Sequence, residues 1–167
     1  MCKPPFWALA LSLLLTLVTP SLAQTPGWKA DVTKIAIPKQ PAVGKIGGRA
    51  FKVERAELSN NSILELRQGG DFFPDLAMII FLFNKDNSLQ GKTFSVKPDA
   101  GINSPHLHLK VRKSGEKLPD AELFLDKITM RLTFGKAVNG KIPGQIYLCA
   151  PDKNKSWVAG TFTAVIK

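Results

Sequence analysis

Cysteine is nearly absent from this 167-residue chain, with only Cys2 and Cys149 present. The two stand on opposite sides of an N-terminal apolar run, so a chain trimmed of that run keeps a single thiol and can form no internal disulfide. A domain without bridges must be held by its core. Acidic residues are also scarce, 13 Asp and Glu against 23 Lys and Arg, for a net charge of +10. There are two histidines and one tyrosine. Beyond the N-terminus the longest apolar run covers residues 76–83. That is far short of the ~20 apolar residues a membrane-spanning helix needs. No G-x-S-x-G elbow, H-E-x-x-H pair or phosphate loop occurs. The chain is therefore not expected to be an enzyme, and no cofactor is expected.

The N-terminus carries one basic residue, Lys3, then an almost wholly apolar stretch over residues 6–18, a break at Pro20, and small residues at Ser21 and Ala23. This order is that of a cleavable secretory signal. Residues 1–23 are read as the signal, and the product as secreted or periplasmic. Removing 23 of 167 residues leaves 144, enough for one domain. The lack of bridges points to a bacterial source, because secreted eukaryotic domains more often carry them. A basic exported chain favours anionic partners: a polysaccharide or another envelope polymer is expected, and nucleic acid is not. A monomer is expected.

Residues 24–48 read as a loose lead-in, rich in Pro and Gly, with one short strand over 32–37 that partly docks on the domain. From Arg49 onward strands and turns alternate. Phe51 and Val53 share one parity and Ala56 and Leu58 the other, which predicts a bulge near Arg55. A turn at residues 59–62 leads to a strand over 63–67. The apolar run at 76–83 predicts a central strand covered on both faces. Strands are further predicted over 93–96, 106–112, 128–134, 145–149 and 157–166, with a hairpin turn at Val138-Asn139-Gly140-Lys141. Residues 119–127 also fit helical spacing, so a short helix is allowed there. About eight short strands with frequent turns predict an all-β fold. The expected architecture is an antiparallel two-sheet sandwich of immunoglobulin-like type over residues 49–167, with a small closed β-barrel as the alternative.

His106 and His108 are the sharpest local feature. On a strand, residues i and i+2 share a face, so both imidazoles can approach one metal ion. Two ligands without a third His make them weak metal candidates. Lys110 and Arg112 continue that face, while Leu107, Leu109 and Val111 occupy the other. The four form a stripe suited to a polyanion, gaining charge as the histidines titrate near 6.5. Trp157 follows a turn and is a candidate for stacking on a sugar, with Trp28 and Tyr147 beside it in kind; the alternative is that Trp157 plugs the end of the sandwich. Cys149 lies in an apolar strand and reads as a small buried hydrophobe. Asp71, Asp75, Asp120, Glu122 and Asp126 fall at loops without a spacing that pairs them. The leading reading is a non-catalytic binding or accessory domain of the cell envelope, with His106, His108, Lys110, Arg112 and Trp157 as ligand-binding candidates. A purely structural envelope protein is the alternative, and a small metal-binding protein using His106 and His108 the third.

Overall fold

The computed structural model describes residues 26–84, 86 and 88–167. The expected signal segment, residues 1–23, lies outside them. The described chain is all-β, with eleven strands and no helix. In order these are β1 Val43–Ile46, β2 Arg49–Lys52, β3 Arg55–Ser59, β4 Ile63–Gln68, β5 Leu76–Phe81, β6 Thr93–Val96, β7 His106–Val111, β8 Asp120–Phe124, β9 Thr129–Phe134, β10 Lys141–Cys149 and β11 Trp157–Ile166. No described helix is long and apolar enough to cross a membrane.

All eleven strands belong to one curled sheet. Its main path runs β6-β9-β10-β11-β3-β4-β5-β7-β8, with β1 beside β11 and β2 beside β1. One sheet thus stands where two packed sheets of an immunoglobulin-like sandwich were expected. The sheet curls into a half-barrel without closing, since β6 and β8 end the path and do not pair. It is also mixed. β11 pairs antiparallel with β10 along its length, but its other edge is shared. Residues 157–159 pair antiparallel with β1, and residues 165–166 pair parallel with β3.

Local sequence explains much of the path. Asn60 and Asn61 have φ of 52° and 50°, left-handed values that Asn tolerates, in a tight turn closed by Ser62 N donating to Ser59 O at 3.1 Å. Asn139 and Gly140 repeat the device, at 51° and 70°, between Val138 and Lys141. At the parity shift near Arg55 the strand changes partner, and Glu54 and Arg55 both stand against Arg67, as the expected bulge requires. Val53 N donates to Ala42 O, and Glu54 N donates to Arg67 O, as the chain leaves β1 for β4. Where β11 changes neighbours, Gly160 (φ 137°) lets residues 40–42 cross it; a Cβ there would lie 2.6 Å from the Ala42 Cα. Residues 119–127 form no helix: Asp120–Phe124 is an edge strand paired only with β7.

The concave face holds the main core. Leu64 and Leu66 of β4, Met78 and Ile80 of β5, Leu107 and Leu109 of β7, and Ile146 and Leu148 of β10 belong to one buried cluster. Each such side chain is worth roughly 1.5–3 kcal/mol relative to exposure. A second, smaller cluster lies on the convex side of β10 and β11, where Tyr147, Cys149 and Ala159 meet Val32, Trp28, Ile35 and Ile37. The lead-in therefore docks as a strap. Residues 32–37 make no strand, because they cross a face whose edges are already paired. Val32 N donates to Thr129 Oγ1 at 3.0 Å and Ile35 N to Val32 O at 3.1 Å, while just before them Lys29 N donates to Cys149 Sγ at 3.3 Å. Residues 43–46, assigned to the lead-in, are sheet.

Candidate functional site

Strand β7 places His106, His108 and Lys110 on the convex face, as alternation requires, with Leu107 and Leu109 in the core. The neighbours on that face are apolar. Phe81 pairs in register with His106, Ile79 with His108 and Ala77 with Lys110, and Leu123 flanks His108 from β8. The Phe81 and His108 rings stand 4.6 Å apart, and Phe83 meets His106 edge-on at 4.5 Å. His106 Nε2 lies 2.9 Å from the Ile102 carbonyl oxygen. Burial lowers the His108 pKa below its usual 6.5, and Lys110 and His106 reinforce the shift. The wet basic stripe is thus half aromatic. Among the described residues no group of three or more His, Cys, Asp or Glu is placed to share a metal ion.

Arg112 departs from the expected stripe. The strand ends at Val111, and Arg112 turns to Asp75: its guanidinium pairs with that carboxylate, Nε donating at 3.0 Å, and its N donates to Asp75 O. Trp157 is elsewhere altogether. It opens β11 and packs with the strap cluster around Cys149, away from β7. The five candidates do not converge.

What does converge is one end of the sheet. The β1–β2 turn, the β4–β5 connection, the β7–β8 connection and the β10–β11 connection meet there. Gly47 N donates to Ser156 Oγ at 2.9 Å, and Arg49 Nη1 donates to Arg112 O at 2.8 Å. Between these connections lies a groove of about 780 Å³, lined by Gly47, Arg49, Asp75, Arg112, Lys113, Ser114, Gly115 and Glu116 among others. Asp75 is neutralised by Arg112 and Asp120 by Lys113, whose pKa the Asp120 hydrogen bond raises. Arg49 has no carboxylate partner among the described residues. The groove lining carries three cations, Arg49, Arg112 and Lys113, against two acids, Asp75 and Glu116, beside the exposed Ser114-Gly115 turn, an arrangement whose donors can bind anionic oxygens.

Sequence reasoning missed this end. Arg49 read as the start of a strand, and Phe72 and Phe73 passed unremarked in the β4–β5 turn. The signal was present: two phenylalanines inside Gly69-Gly70-Asp71-Phe72-Phe73-Pro74 break the polar rule of turns. Cys149 is inert here. It is 1% exposed, and burial pushes its thiol up to about 11. Comparison with protein-family models, with curated proteins and with solved structures gives no match.

Proposed function

We propose that the chain is a non-catalytic binding domain of the cell envelope whose ligand is a polyanion, an acidic polysaccharide among them, held at the loop end of the sheet. The observation that carries this reading is the groove in which Arg49, Arg112 and Lys113 meet around Gly115. It replaces the β7 stripe as the binding surface; of the original candidates only Arg112 lines it. The reading takes residues 1–23 as an export signal, so secreted material should have an intact mass beginning near Gln24, and a start at Met1 contradicts it.

Exposed charges are screened over about 10 Å at 0.1 M salt, so retention on a polyanion column should fall steeply with ionic strength. Heparin is a suitable probe. Arg49→Ala/Lys113→Ala should elute at clearly lower salt than wild type, and Lys110→Ala close to it. Arg112 is a poor test residue, because removing it leaves Asp75 unpaired. Equal retention of wild type and the double variant removes the groove as the site. Because His106 and His108 lie at the far end of β7, acidification should change retention little.

A further inference from the structure

The loop end carries more than charge. Phe72 is 91% exposed, Phe73 46% and, on the β7–β8 connection at the same end of the sheet, Leu118 59%. These apolar tips are presented by a braced loop. Arg67, itself 8% exposed, donates from Nη2 to Gly70 O and Asp71 O, both at 2.8 Å. Arg55 donates to Gly69 O at 2.6 Å and pairs with the Asp71 carboxylate. Gly69 N donates to Glu54 Oε2, and Asp75 N to Gln68 O, both at 2.9 Å. The Nε of Arg67 is buried without a partner.

We propose that this end docks on an anionic lipid bilayer, with Phe72, Phe73 and Leu118 entering the boundary between headgroups and acyl chains. The inference rests on the polyanion reading and names the polyanion as a lipid surface. A soluble polysaccharide offers a phenylalanine ring only stacking on a sugar face, whereas a bilayer supplies apolar depth and negative charge at one surface. The charge around the tips complements such a surface. Asp71, Asp75 and Asp120 are each neutralised by a basic partner. Arg49 and Lys117 have no carboxylate partner among the described residues. Glu116 of the groove and Glu54 at the base of the loop stand against them, and the excess of positive charge is that of the whole chain, +10. One apolar loop with a few cations predicts reversible docking, not permanent insertion.

The test is co-sedimentation of the chain beginning at Gln24 with vesicles of phosphatidylcholine alone and with added phosphatidylglycerol, beside heparin retention. Wild type should bind the phosphatidylglycerol vesicles and not the neutral ones. Phe72→Ser/Phe73→Ser should weaken vesicle binding about tenfold or more and leave heparin retention as in wild type. Both side chains lie outside the core clusters, so the variant should keep its circular dichroism. Phe72→Trp gives a second readout: its emission should shift to the blue only with phosphatidylglycerol vesicles. Heparin retention without vesicle binding overturns the lipid proposal and leaves the polyanion reading standing. Vesicle binding unchanged in the double Phe variant, or no blue shift, also overturns it. Loss of both binding activities in Arg49→Ala/Lys113→Ala, with Phe72→Ser/Phe73→Ser losing only vesicles, is the result expected. Failure of wild type to bind either probe sinks both.

Discussion

The convex side of the sheet has two halves, and they are finished differently. Over β10 and β11 the outward residues Tyr147, Cys149 and Ala159 are at most 2% exposed, because the strap of Trp28, Val32, Ile35 and Ile37 lies on them. Over β5, β7 and β8 the outward residues Ile79, Phe81, His106 and His108 are only partly covered, and Leu123 is 52% exposed. Both halves present apolar surface. Among the described residues, only one has chain laid across it. A strand's side chains therefore do not reveal whether its outer face is covered; a distant segment decides that.

The widest contrast should appear when each half is truncated. Trp28→Ala/Val32→Ala removes the strap's anchor, including the Trp28 Nε1 bond to Ala150 O at 2.7 Å, and should cost about 3–5 kcal/mol in urea unfolding. Phe81→Ala/Leu123→Ala on the bare half should cost about 1 kcal/mol. Equal losses would erase the distinction between the halves.

Cys149 sharpens it next. Its thiol is neutral at ordinary pH and lies under the strap, so a thiol reagent should label the native protein only as fast as the strap opens. Cys149→Ser should destabilise by about 1–2 kcal/mol, since a hydroxyl is harder to bury than a thiol. Trp28→Ala/Val32→Ala should speed labelling sharply; labelling as fast as in unfolded chain, in wild type, would mean the strap covers nothing.

A smaller effect concerns pH. His108 has a depressed pKa in the fold, so the unfolded chain takes up its proton more readily. Stability from this group is fully present above about 6.5 and declines as pH falls below it. The groups facing His108 are Lys110 and His106 on its own strand, Phe81 and Ile79 on β5 and Leu123 on β8, with Glu65 one strand further in the same row. His108→Gln should flatten the melting-temperature difference between about pH 7.5 and about pH 5. An unchanged difference would assign the acid sensitivity elsewhere. Smallest of all, Lys110→Ala should stay within about 0.5 kcal/mol of wild type, because no ion pair is lost.

Much of the fold was legible because its signals are local. The Asn60-Asn61 and Asn139-Gly140 turns depend only on which residues tolerate positive φ, and the alternation of β7 and β9 depends only on the pleat. What was hidden is non-local. The junction of β11 with β1 and β3 joins segments about a hundred residues apart, and no periodicity marks it. β8 was confusable with a helix because an edge strand with one partner needs little apolar pattern. The site was less legible than the fold. Parity put Arg112 on the His stripe, but Asp75, 37 positions away, draws it off. Trp157 was open to reading as a rim residue or as a plug at the sandwich end, because nothing in the lead-in's irregular spacing announces the strap it packs with. Arg49, Asp75 and Lys113 come together only through the ends of β2, β5 and β7.

The most direct test of the loop end as the binding surface is an amide chemical-shift titration of isotope-labelled protein with heparin oligosaccharide at low salt. Shifts confined to residues 47–49, 69–75 and 112–118, saturating and abolished by Arg49→Ala/Lys113→Ala, are the predicted result. Shifts centred on His106, His108 and Phe81, or no saturable shifts at all, would contradict it.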